Sequence, residues 1–364
     1  MTAAFSNCWL QGGWIGVDLF FVLSGFLVSG LLFHEFKKYE SIDTTRFLIR
    51  RGFKIYPAFW ALIATTLAFG WLKGSQTDVG GLLSEVLFFQ SYFPGMWNHT
   101  WSLAVEEHFY LLLAGTFAFL VCRRESGQDP LAIVPKLFCV VAIVCLTLRV
   151  TTALSLPYGH MTHVFPTHLR IDSLMFGVFL AHSWHRNGFV HSNLIQENAS
   201  PLIGLGILML LPAFLFPLEA TWWISVFGVS LFYVGGGAIL IGLLHRGVSD
   251  TPAIRWIAML GTYSYSIYLW HMPVHNWFVP AITSLLPEPL SENWFIYSAL
   301  FLSGSFIVGV QMAKLIESPV LVLRNKWFPS RSRAMALQEQ RRRENAGRSG
   351  NSSYPTVGQP TGNK

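Results

Sequence analysis

Two adjacent carboxylates stand at the mouth of an apolar run, in Trp101-Ser102-Leu103-Ala104-Val105-Glu106-Glu107-His108-Phe109-Tyr110. An ionisable group inside a bilayer span is costly to hold there, so it marks a functional site by default. Ser102 and Glu106 share a helical face at i,i+4, whereas Glu106 and His108 do not. Glu106 therefore reads as a functional group and Glu107 as a wet or capping position. Asp18 lies in the glycine-rich run Gly12–Phe26 and needs a donor partner or water. It fits an interfacial carboxylate that fixes helix ends, or a substrate-side group that handles protons. Arg170 and Asp172 straddle the start of another apolar run, too close in sequence to pair well on a helix. Each then needs a substrate oxygen or a charge on a neighbouring helix. His271 ends an apolar segment beside a stripe of hydroxyls, with His275 one turn later. An imidazole near neutral pKa carries a proton in either direction, while an interface anchor is its plainer role. The histidines lack paired metal-ligand spacing and the four cysteines (Cys8, Cys122, Cys139, Cys145) lack a C-x-x-C, so no metal site is expected.

These groups must be positioned by apolar elements. Of the 364 residues 52% are hydrophobic and 12% charged, against roughly 25% charged in a soluble protein. That balance excludes disorder, a nucleic-acid-binding domain and most soluble folds. Apolar runs fall near 15–34, 55–72, 107–122, 131–152, 169–184, 201–218, 222–244, 254–272 and 294–315, and a bilayer crossing needs roughly 20 such residues. The runs are continuous and not alternating, which argues against a barrel. The expected fold is all-α, a polytopic transmembrane helical bundle of about nine spans. Arg123 and Arg124, Lys136 and Asp172 interrupt several runs, as suits helices inside a bundle. The cysteines read as small buried hydrophobes.

Charge placement gives an orientation. Six basic residues lie between Lys37 and Lys54, and nine of the 25 lie at or after Arg324. By the positive-inside rule these segments are cytoplasmic, which puts the C-terminus inside and the N-terminus outside. Residues 1–323 read as one integral membrane domain. Residues 324–364 read as a tail, basic and then rich in Gly, Ser and Asn, expected to be disordered. Segments 73–105 and 153–168, the latter with His160, His163 and His168, are the larger outer connections. The N-terminus shows no signal-peptide pattern.

The run Gly12–Phe26, the stretch Phe47–Pro57 with Arg50-Arg51, and Trp101–Tyr110 resemble successive motifs of the membrane-bound acyltransferase 3 family. Arg170-Ile171-Asp172-Ser173-Leu174 with Gly177, Ser264–His271, and Leu315-Ile316-Glu317-Ser318-Pro319 match it in the same order. The resemblance covers about residues 10–320. It implies a bacterial inner-membrane enzyme that moves an acyl group, usually acetyl, from cytoplasmic acyl-CoA to a hydroxyl. The acceptor is a cell-envelope polysaccharide, peptidoglycan, a lipid-linked sugar or a small molecule. Acyl-CoA is then a co-substrate and no cofactor is bound. The implied partners are the donor, the hydroxyl acceptor and membrane lipid, with no nucleic acid.

Carried over residue by residue, the resemblance makes Arg50 and Arg51 contacts for the CoA phosphates. It makes Glu106 the charge-balancing or proton-handling carboxylate, with His271 as an auxiliary polar group. Asp18, Ser102, Arg170 and Asp172 shape the acceptor side or serve as structural polar groups. His108 stands where the family more often has Gln. Family members usually carry a further first helix, with an Arg and a His about eleven residues later regarded as the base. Only eleven residues precede Gly12 here, with no Arg or His among them. A shortened chain is the expected reason, and restoring the helix would give ten spans and an N-terminus inside. Two other readings are a catalytically degenerate protein that binds or exports a glycan or lipid, and a secondary transporter. The second lacks the internal repeats it would need.

Overall fold

A computed structural model describes residues 12–125 and 128–333, and all regular structure among them is helical. The principal helices are α1 (Ile15–Tyr39), α2 (Thr44–Leu72), α3 (Val79–Val86), α4 (Trp101–Cys122), α5 (Val134–Ser155) and α6 (Ile171–His185). They are followed by α7 (Ala199–Leu210), α8 (Val229–Arg246), α9 (Pro252–Pro273), α10 (Trp294–Met312) and α11 (Ser318–Trp327). Each of the nine apolar runs is helical. Among the described residues six stretches are long and apolar enough to cross a membrane: Ile15–Tyr39, Thr44–Leu72, Asn98–Cys122, Pro130–Ser155, Ile224–Arg246 and Trp294–Trp327.

The other three runs depart from the expected nine spans for physical reasons. Helix α6 has 15 residues, a rise of about 22 Å against a hydrocarbon core of about 30 Å. The run Ala199–Leu215 is short and broken before Pro212. Helix α9 is long, but Arg255, Tyr263, Ser264, Ser266 and His271 dilute its apolar character.

Helix α1 packs most closely against α6. The contact is set by Gly25 and Gly177, where a Cβ on either would strike the other helix's backbone at Leu174 or Val22. Small residues that let backbones approach are how helices associate without a hydrophobic drive between them. Helices α1 and α8 are largely enclosed, whereas α5 and α10 turn most of their surface outward. Cys122 and Cys139 lie on such outward surface, which corrects the expectation of burial; Cys145 is buried, and Cys8 lies outside the described residues.

Helix α2 starts eleven residues earlier than its apolar run. Asp43 caps it, accepting from the Arg46 backbone N–H at 2.9 Å, so Arg46, Arg50, Arg51 and Lys54 project from its first turns. Local π-helical turns at Ile224–Gly228, Val274–Phe278 and Ala313–Glu317 interrupt the later helices; such bulges re-aim side chains. One places Glu317 inward, where it pairs with Lys54 and accepts from Ser266 at 2.8 Å. Helix α11 ends at Trp327, residues 328–333 follow it, and the rest of the expected tail, from residue 334, lies outside the described residues.

Candidate active site

Glu106 sits on α4 and is almost sealed from solvent. Its Oε1 accepts from the Ser24 hydroxyl at 2.6 Å and the Tyr110 hydroxyl at 2.6 Å, and those two hydroxyls are 2.7 Å apart. Tyr110 is one turn along the same helix, and Ser24 comes from the middle of α1. A closed ring of three O···O contacts needs three hydrogens, and the two hydroxyls supply two. The guanidinium of Arg51 lies 5.0 Å from the Tyr110 ring centroid, a cation–π distance. Glu107 is not in the wet position expected of it. It is buried and accepts from Tyr56 at 2.8 Å, because α4 is enclosed on that side by α2.

Arg51 also lines a cavity of about 530 Å³ between the end of α1 and the start of α2. Arg50 and Lys54 line it from the same helix, beside Phe47. The basic pair singled out from sequence thus shares one cavity, and Arg51 links it to Glu106. This is the basic end of the bundle.

A second cavity of about 550 Å³ lies at the opposite end, where α1, α4 and α9 meet the connections after α5 and before α8. Trp14, Trp101 and Phe165 give it aromatic walls, and Trp101 and Phe165 stack at 5.0 Å. His271 lines it with His99, and the two rings are 4.9 Å apart. The Nδ1 of His271 faces the Tyr268 carbonyl, and Nε2 of His99 faces the Leu269 carbonyl at 3.2 Å. Each of those nitrogens must carry the hydrogen, so the other nitrogen of each ring is left as an acceptor. For His99 that atom is buried with no partner among the described residues. His275 points elsewhere, toward Asn276.

His99 is presented by a single turn, Asn98–Thr100, held from α3. Glu85 accepts from the Trp97 N–H at 3.0 Å and the Thr100 hydroxyl at 2.8 Å. Burial pushes the Glu85 carboxyl up to about 7, against the lowering pull of those bonds.

The remaining sequence candidates form two buried ion pairs, each to a neighbouring helix as one of the two expectations had it. Asp18 accepts from Arg170 at 2.7 Å. Asp172 takes both guanidinium nitrogens of Arg149, at 3.1 and 2.8 Å, and Arg149 also reaches the Leu169 carbonyl and Ser230, both at 2.8 Å. Arg170 lies 5.5 Å from the ring centroid of Trp101, a wall of the aromatic cavity. Its Nε and the Oδ2 of Asp18 have no partner among the described residues. Ser102 shares a helix with Glu106 but is not bonded to it. Its hydroxyl meets that of Tyr268 at 2.7 Å.

Sequence reasoning missed Ser24, Tyr110, His99, Tyr268 and Arg149. The hydroxyl of Tyr110 one turn after Glu106 was the available signal for the first pair, since i,i+4 neighbours meet.

Over residues 5–312 the chain matches the acyltransferase-domain family. It is 28% identical over 344 residues to the peptidoglycan O-acetyltransferase OatA of Listeria monocytogenes, which takes in 86% of this chain and 52% of that one. It is also 28% identical over 293 residues to the O-acetyltransferase OatA of Staphylococcus aureus, with 73% of this chain and 46% of that one. The chain spans about half the length of these curated relatives. No solved structure matches it. The chain belongs to the acyltransferase 3 family of membrane acyltransferases.

Proposed function

We propose that this chain transfers an acyl group, acetyl above all, from acyl-CoA at its basic end to a hydroxyl of an envelope glycan or lipid-linked sugar at its opposite end. The observation that carries the reading is the pair of cavities at the two ends of one bundle with Glu106 hydrogen-bonded between them. Arg51 lines one cavity and stacks on Tyr110, while Tyr268 lines the other and meets Ser102 one turn from Glu106.

In the transfer, the acceptor O–H loses its proton, the oxygen attacks the thioester carbonyl, and the C–S bond breaks. The proton ends on the departing CoA thiol. Arg50 and Arg51 hold the donor phosphates by charge-assisted hydrogen bonds. The ring of Glu106, Ser24 and Tyr110 takes up and returns a proton, each hydroxyl turning as the carboxyl changes state.

On the acceptor side, Trp14, Trp101 and Phe165 offer faces on which a sugar ring can lie, and the free nitrogen of His271 accepts a hydrogen bond from its hydroxyl. Asp18 and Arg170, each with an unused polar atom, lie behind Trp101, which lines that cavity. Asp172 and Ser102 hold the helices that carry them.

Helices α6, α7 and α9 would complete nine crossings with the six longer stretches. Residues 12–323 then act as one membrane unit in the bacterial inner membrane, with the basic end and C-terminus in the cytoplasm. Membranes bearing the chain, given acetyl-labelled acetyl-CoA and an envelope fraction, should place alkali-labile label on the acceptor. Label no greater than in membranes without the chain would contradict the reading.

A further inference from the structure

The family match ends at residue 312, yet the chain beyond it helps to build the basic cavity. Arg324 on α11, and Ser330, Arg331 and Ser332 after it, all line that space. The segment Phe328–Ser332 turns back across the end of α1 and the start of α2. Arg331 donates to Glu35 at 3.0 Å, to the Ser41 carbonyl at 3.0 Å and to the Ser41 hydroxyl at 2.8 Å. Its guanidinium lies 4.5 Å from the Tyr39 ring centroid. On the other side Arg50 donates to the Phe328 carbonyl and reaches Asn325 at 3.5 Å, while Phe53 packs on the Phe328 ring at 5.7 Å.

The partners that hold this segment are mostly neutral. Arg50 is met by neutral oxygens, and Arg331 by the Ser41 carbonyl and hydroxyl and by one carboxylate, Glu35, the only one among the described residues lining a cavity that has seven Lys and Arg side chains around it. A phosphate offers a guanidinium shorter, bidentate and charge-assisted bonds. A polyanion entering here would therefore draw Arg50 from the Phe328 carbonyl and Arg331 from Glu35.

We propose that Phe328–Ser332 is a strap that closes over the donor, and that Arg324 and Arg331 bind the phosphates of its nucleotide end. The proposal rests on the acyl-CoA reading of the basic cavity. It extends the donor site to residues outside the family match. Glu35 holds Arg331 while the cavity is empty and releases it to phosphate when the donor arrives.

The test uses two substitutions that break the same ion pair. Binding of coenzyme A to the detergent-solubilised full chain is measured for the wild type, Arg331→Ala and Glu35→Gln, with melting curves checking that each is folded. Arg331→Ala should raise Kd about tenfold or more, and Arg331→Lys should fall between it and the wild type. Glu35→Gln should bind at least as tightly as the wild type, because it frees the arginine. Arg123→Ala, at an exposed cation outside the cavity, should leave Kd unchanged. A merely structural pair would make Arg331→Ala and Glu35→Gln weaken binding alike, and that result overturns the strap. So does wild-type affinity in Arg331→Ala, or an equal loss in Arg123→Ala, which would reduce the effect to bulk charge. If the wild type itself binds no coenzyme A, the donor reading fails first.

Discussion

Asp172 and Glu106 are both carboxylates enclosed by helices, and their surroundings differ in kind. Both oxygens of Asp172 are taken by Arg149, whose two terminal nitrogens also reach a carbonyl and a hydroxyl and whose Nε alone has no partner among the described residues. Glu106 has no ion-pair partner among the described residues and is held through one oxygen by two hydroxyls. A bidentate buried ion pair cannot change charge at one member without stranding the other in a medium that punishes lone charge. A carboxyl held by hydroxyls can gain or lose a proton while its neighbours rotate. The first arrangement suits a fixed scaffold, the second a group that takes part in chemistry.

The comparison breaks most visibly at the scaffold. Asp172→Ala leaves Arg149 buried without its counter-charge and should cost about 3–5 kcal/mol of stability, seen as a collapse of folded yield and melting temperature in detergent. Replacing the pair together, with Arg149→Met and Asp172→Leu, should recover most of that loss. If the double replacement melts as low as the single one, the pair is more than a matched charge. A third buried carboxylate sharpens the contrast on a smaller scale. Glu85 sits outside the spans, is held by an N–H and a hydroxyl, and has its carboxyl raised from 4.5 to about 7. Its folded form holds the proton more tightly than the unfolded chain does. Its contribution is thus fully present below about 4.5 and fades as pH rises toward about 7. Hydrogen exchange at Trp97–Thr100 should accordingly be slower at pH 5 than at pH 8, beyond the intrinsic rate change, and Glu85→Gln should flatten that difference.

How far the sequence exposes this arrangement depends on the residue type. The nine helical runs are legible because continuous apolar stretches have little other use, and Glu106, Asp18 and Arg170 are legible because charge there is conspicuous. Their partners are not. Asp18 and Arg170 are 152 residues apart, and nothing in a one-dimensional pattern brings them together. Ser24 is a hydroxyl in an apolar helix, where serine commonly bonds its own backbone, and Tyr110 and Tyr268 pass for aromatic packing residues. His99 looks like a loop residue until Glu85 and Gln90 fix the turn that presents it, Gln90 by donating to the Thr100 carbonyl at 3.1 Å. Span counting fails at α6, which has only 15 residues, and at α9, whose apolar run is diluted by Arg255, Ser264, Ser266 and His271.

The central claim is that Glu106 serves chemistry and not architecture, and Glu106→Gln tests it most directly. Glutamine keeps the shape and an oxygen for both hydroxyls but cannot take up a proton. Acyl transfer from acetyl-CoA, measured per folded molecule against the wild type, should fall about 100-fold or more with the melting temperature little changed. Full transfer by the folded Glu106→Gln protein would contradict the account.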